Sequence, residues 1–400
     1  MDEATKPAQP AIRLTWLDSM KGISILWIAF FHFYTTYTNH RYPDPLGPAY
    51  FPKFLEQCTP SASTLWCVSH GFWVAVWSVG FHAVAVFLVL SGFGLTYSLA
   101  KTGVPEDGWL GWYRGRLLRL FPMYWVAHFV YLVSPFVARP EPIDYRFFLS
   151  LLGDRVYPVY SLFYYINPAW WYFGLLIQLY LIFPLLFRML QKLGPVWFLV
   201  VCGVATVVIR YLLLFTISAH GYYVQGAFGG SRLWEFALGM VLGLLYRRSA
   251  SDADDRLFSF PAITGGAVLY VLGLYSYANS VTYIFNDALI GTGLFVILAH
   301  VARWCDLLPR FGGTLAYVGA FSYGLYLLHQ PYVIYFGERM REMPELLFSV
   351  LAWGIIALIT IAAIPLERYV NQLTNWVLDR KKESRQPPAV SYQPNLEIKS

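Results

Sequence analysis

Lys21 and His32 are the side chains in this sequence whose types and spacing best suit proton-transfer chemistry. They stand eleven residues apart. On a helix turning about 100° per residue, that spacing returns to within ~20° of its start, so both share one face, roughly 16 Å apart along the axis. A neutral imidazole accepts a proton from an attacking hydroxyl near neutral pH, which is general-base work. The bland reading of His32 is a hydrogen-bonded bundle residue. Asp18 lies at i, i+3 to Lys21 and is expected to pair with it. Arg116 and Arg119, three apart, form a second group with Arg114 beside them. Clustered guanidinium groups bind phosphates by charge-assisted, often bidentate contacts. Their alternative role is charge retention beside lipid headgroups.

The elements that must position these residues are membrane spans. Hydrophobic residues make up 57% of the 400 positions and charged residues 13%, which excludes a soluble domain of this length. Continuous rather than alternating apolar runs disfavour a β-barrel. Helices are predicted at roughly 22–38, 72–98, 121–138, 169–187, 196–218, 231–247, 259–277, 281–301, 316–337 and 347–366. The fold class expected is therefore an all-α polytopic bundle of about ten transmembrane helices. Twenty of the 29 Lys and Arg side chains fall on the segments on the N-terminal side of the membrane and eight on the other, with Arg210 inside a span. By the positive-inside rule both termini are expected in the cytoplasm, and the net charge of +6 reads as topology rather than nucleic-acid binding. Residues 1–13 read as a cytoplasmic segment and 379–400 as a disordered cytoplasmic tail, flanking a membrane domain over 14–372. The first 12 residues are polar and lack an apolar core before a cleavage site, so the first helix is expected to be retained.

With the hydrocarbon starting near Ile23, His32 lies some ~14 Å deep while Asp18 and Lys21 stay at the rim. An ionisable group at depth costs several kcal/mol unless paired or facing a cavity. Glu235, His329, Arg210 and His82 are candidates on that ground, with ordinary structural hydrogen bonding as the competing role for His82, Arg210 and His329. Of four cysteines, Cys58 and Cys67 share an outer loop where an oxidising compartment permits a bridge, the alternative being two free thiols. No Cys/His spacing suggests a metal site.

Asp18-x-x-Lys21-Gly22 followed by His32 resembles the first-helix signature of the acyltransferase 3 family, in which a basic residue, usually Arg, precedes the catalytic histidine. Lys21 keeps the charge of that Arg and loses its planar fork. Further stretches resemble the family in order and spacing: Phe87 to Phe93 with Ser91-Gly92, Arg116 to Trp125, Trp171 to Pro184 with Gln178 and Tyr180, Arg232 to Gly239, Ser322 to Pro331, and Pro365 to Glu367. Many members carry an acid before the Gln, where this chain has Leu176 and Ile177, so that carboxylate role does not transfer and Glu235 is the more plausible intramembrane acid.

The resemblance implies an inner-membrane O-acyltransferase moving an acyl group, most often acetyl, from cytoplasmic acetyl-CoA or another acyl-CoA to a hydroxyl of an extracytoplasmic or lipid-linked carbohydrate, with no bound cofactor. In that reading His32, Lys21 and Asp18 form the catalytic group, Arg116, Arg119 and Ser91 the donor side, and Glu235, His329, Arg210, His82, Gln178 and Tyr180 the cavity. The alternative is a proton-coupled secondary transporter of a small polar solute, which midplane His, Glu and Arg would also suit. The absence of a visible internal repeat argues against it. No motif sets an oligomeric state.

Overall fold

The computed structural model describes residues 14–46, 49–58, 62–137, 140–217 and 220–383, and among them it forms helices and no strand. The expected N-terminal segment 1–13 and residues 384–400 of the expected tail lie outside the described residues. In order the helices are α1 (Thr15–Thr38), α2 (Tyr50–Gln57), α3 (Thr64–Ser78), α4 (Ala83–Leu99), α5 (Gly108–Val133), α6 (Tyr145–Leu151), α7 (Val159–Leu162), α8 (Trp171–Thr216), α9 (His220–Tyr222), α10 (Leu233–Arg248), α11 (Ala250–Leu257), α12 (Phe260–Tyr275), α13 (Asn286–Asp306), α14 (Pro309–Ala320), α15 (Ser322–Arg339) and α16 (Glu345–Glu383).

Five helical stretches are long and apolar enough to cross a bilayer: Thr64–Leu99, Pro168–Thr216, Phe260–Ala278, Thr282–Asp306 and Glu345–Leu378. A sixth is added if Pro309–Ala320 and Ser322–Arg339, bent by 79°, count as one span. Every predicted span coincides with a helix, but the count differs from ten for physical reasons. α8 carries two predicted spans in one 46-residue run broken at Gly194, which supplies the positive φ of 74° before Pro195 restarts the helix. α10 is only 16 residues long, and Asp18 and Lys21 in α1 and Arg114, Arg116 and Arg119 in α5 make those helices more polar than the other spans. α8 and α16 present Leu181, Leu185, Val196 and Trp197, and Val350, Leu358 and Ile361, outward. A surface this apolar needs lipid around it.

α1 is the central helix, packing on α4, α13, α14 and α15. It starts at Thr15 rather than near residue 22, so Asp18 and Lys21 lie within its first two turns. Thr15 Oγ1 and Ser19 Oγ donate to the Asp306 carboxylate at 2.8 and 2.6 Å, fastening this end to the end of α13. A Cβ on Gly319 would overlap the Asp18 carbonyl oxygen, and one on Gly22 the Leu315 carbonyl oxygen, so α1 and α14 pack backbone to backbone. α4 and α10 meet in the same way at Gly92, Gly239 and Gly243. Gly319→Val should therefore lower the thermal unfolding midpoint in detergent, at a cost of about 1–3 kcal/mol or more for forced overpacking. Gly313→Val, where a Cβ meets nothing within 4 Å, is the control expected to unfold like the parent.

Two devices hold α15 against the core. Gly324 N–H, one of the amides left open at a helix start, donates 2.7 Å to Glu367 of α16. Pro331 has no N–H to offer the Leu327 carbonyl one turn back, and the Asn167 and Trp170 side chains donate to that carbonyl instead, each at 3.0 Å.

Candidate active site

One cavity of about 330 Å³ lies among α1, α4, α5, α8 and the α14–α15 bend. Its lining runs along one face of α1 through Lys21, Ile25, Ile28 and His32. The remaining walls include Ser91 of α4, Arg116 of α5, Tyr172 and Tyr180 of α8, and Tyr323 and Tyr326 of α15. The eleven-residue spacing thus leaves Lys21 and His32 on a shared surface, at opposite ends of roughly 16 Å of helix axis. Lys21 Nζ pairs with Asp18 at 3.1 Å and its side chain is 34% exposed, as a rim residue's would be.

The His32 ring is half-buried and opens onto the cavity. Behind it, His329 is fully buried, with ring centroids 5.4 Å apart. His329 Nδ1 lies 3.1 and 2.9 Å from the carbonyls of Leu325 and Tyr326. Carbonyls only accept, so that nitrogen carries the proton and Nε2 holds the lone pair. His32 Nδ1 faces the Gln330 side-chain amide at 3.4 Å. Tyr326 closes the adjoining wall by donating to the Ala169 carbonyl at 2.8 Å and accepting from Phe173 N–H at 3.1 Å.

Ser91 lines the cavity, but its hydroxyl donates to the Phe87 carbonyl of its own helix at 2.8 Å, and its other neighbour is the Tyr172 hydroxyl at 3.5 Å. Neither partner is a base, so Ser91 is not arranged as an activated nucleophile. The two arginines separate. Arg116 lines the cavity beside Trp112, with its guanidinium 5.5 Å from that ring, whereas Arg119 is exposed and outside the lining. Three residues on a helix span 300°, so the pair diverges by about 60°.

Four other candidates are not brought to this cavity. Gln178 ties α8 to the 227–229 segment, donating to the Ala227 carbonyl at 3.1 Å and accepting from Gly229 N–H at 2.9 Å. Glu235 accepts from Arg232 Nε at 2.7 Å, Arg232 pairs with Asp287 at 3.2 Å, and Arg210 pairs with Asp287 at 2.5 Å. Arg210 is further held by the carbonyls of Ile284 and Tyr283 and by Asn286. His82 stands between the hydroxyls of Tyr270 and Tyr277, at 3.0 and 3.3 Å. Apart from Gln178, these groups form a second buried polar cluster among α8, α10, α12 and α13 in which the arginines and carboxylates pair with one another, Glu235 Oε2 being left without a hydrogen-bond partner. Sequence reading missed Asp287 and Gln330. Asp287 had a usable signal, being an acid inside the predicted 281–301 span.

Cys58 and Cys67 are joined by a disulfide. Among the described residues no three His, Cys, Asp or Glu side chains gather as they would around a metal ion.

Long apolar helices around an internal, largely apolar cavity that carries Lys21, His32 and Arg116 define a multi-pass membrane protein with a site inside the bundle. The chain belongs to the acyltransferase 3 family: a family model described as an acyltransferase domain matches residues 14–367, nearly its whole length. It is accordingly an O-acyltransferase working in a lipid bilayer. No curated protein and no solved structure matches it significantly.

Proposed function

We propose that the enzyme transfers an acyl group, most simply acetyl, from acyl-CoA entering at the Lys21 end to a carbohydrate hydroxyl, with His32 as general base. The observation that carries this reading is one cavity lined by Lys21 and His32, eleven residues apart on α1, with Arg116 also in its wall. Arg116 and Lys21 supply positive charge for the donor's phosphates, and Tyr172, Tyr180 and Tyr323 form an aromatic sleeve for its thioester arm. The acceptor hydroxyl attacks the thioester carbonyl while His32 takes its proton. The tetrahedral intermediate then collapses, the C–S bond breaks, and the departing thiolate leaves as CoA with that proton. Arg116 becomes the main donor contact, Arg119 at most a guide at the mouth, and Ser91 a wall residue.

In this proposal the ten helices of the sequence reading cross an inner membrane with both termini in the cytoplasm, α1 and α5 being tolerated because their charges lie at a rim or in a cavity. Liposomes carrying the purified protein should release CoA from acetyl-CoA when acceptor glycan is supplied; flux of a solute with no thioester consumed would support transport instead. In the same assay Arg116→Ala should raise the Michaelis constant for acetyl-CoA by about 10- to 100-fold, as expected for losing a charge-assisted contact of about 1.5–3 kcal/mol, with kcat less affected. An unchanged Michaelis constant would remove Arg116 from the donor site.

A further inference from the structure

We propose that Gln330 fixes the tautomer of His32, accepting the Nδ1 proton so that the Nε2 lone pair is free to act as base. This is a positioning role, and it rests on the reading of His32 as the general base. Three other buried helical histidines settle their tautomers locally. Nδ1 of His128, His300 and His329 lies 2.9, 2.9 and 3.1 Å from the carbonyl four residues earlier in the same helix, at Tyr124, Val296 and Leu325. His32 departs from that habit. Its Nδ1 turns instead to Gln330, 298 residues away on α15 and 6% exposed.

With the amide nitrogen facing Nδ1, the imidazole proton must sit on Nε2, and such a ring cannot accept another there. Either orientation leaves one end of this buried amide without a side-chain partner, so the contact at Nδ1 is what distinguishes them. The two ends of the amide have the same shape and are told apart by their hydrogen bonds alone. A half-turn about the amide brings Oε1 to Nδ1–H, and the lone pair moves to Nε2. The device resembles the acid behind a catalytic histidine, with a neutral acceptor in place of the carboxylate. A neutral acceptor leaves the imidazole basic without holding it permanently as imidazolium.

His329 is the titratable side chain packed against the His32 ring, and it stays unchanged throughout the test. Three variants, Gln330→Leu, Gln330→Glu and His32→Ala, are compared by kcat, the Michaelis constant for acetyl-CoA and the pH–rate profile in liposomes. Gln330→Leu should lose roughly tenfold or more in kcat with the Michaelis constant within about twofold. Gln330→Glu, of the same shape but anionic, should retain activity and move the acid limb of the kcat profile to higher pH, because a carboxylate beside the ring favours imidazolium. A residue that merely fills space would leave the limb where it was. The inference is overturned if Gln330→Leu keeps kcat within about twofold of the parent, or if the limb of Gln330→Glu does not move. Should Gln330→Leu fail to fold, the isosteric Glu variant decides alone. Those results with His32→Ala inactive would sink the role of Gln330 and leave the base in place, whereas an active His32→Ala enzyme would sink the base itself.

Discussion

His32→Ala is expected to abolish acyl transfer, lowering kcat by about 10²–10⁴-fold, the usual contribution of a positioned general base. The ring opens onto the cavity, and a neutral imidazole is suited to take the acceptor's proton. His329 is close but is buried behind the cavity and is not part of its lining, so it cannot replace the lost base. Removing one half-buried ring leaves α1 fastened at Thr15, Ser19, Gly22 and the Gly319 crossing, so the variant should elute and melt like the parent. Binding of acetyl-CoA should survive, since Arg116 and Lys21 are untouched. A variant within tenfold of parental kcat would show that the proton goes elsewhere.

Asp287→Ala should have the largest effect on stability. Asp287 is the carboxylate shared by Arg210 and Arg232, whose side chains are 1% and 7% exposed. Its removal leaves Arg210 without an anion and Arg232 with Glu235 alone. Breaking a buried pair from one side typically costs about 3–5 kcal/mol, because the stranded charge has no water to return to. Little monodisperse protein should survive detergent extraction, and thermal unfolding should begin well below that of the parent. Replacing Arg210 by Met and Asp287 by Leu together should recover part of the loss, since apolar replacement of a complete pair is far better tolerated. An unchanged melting curve for Asp287→Ala would mean that the cluster is solvated and carries little of the fold.

The features legible in the sequence were those set by helix geometry alone. The shared face of Lys21 and His32 and the Asp18–Lys21 pair follow from one angle per residue and hold in the structure. The positions of the helices were legible too, because continuous apolar runs need no knowledge of neighbours. Which polar group meets which was not. Depth placed Glu235, Arg210 and His82 near His32, but depth does not say which face of a helix points where, and all three turn into the Asp287 cluster. Their spacing grouped Arg116 and Arg119 as one donor site, yet 60° is enough to put one in the cavity and the other outside. Gln330 stood unread between His329 and Pro331, since an amide shows its use only when the nitrogen opposite it is known.

The backbone crossings at Gly22–Gly319 and Gly92–Gly239 bear on which acyl groups the enzyme admits. Where two helices touch through their main chains there are no side chains between them to trim or rotate, so α1 with α14 and α4 with α10 keep a fixed spacing. Room for a longer or branched acyl chain then comes from the side chains of the lining, of which Tyr172 and Tyr180 of α8 and Tyr323 of α15 are among the bulkiest. If the cavity holds the acyl group as proposed, trimming these rings one at a time should widen the range of chains accepted, since none of the three stands on the helix that carries His32.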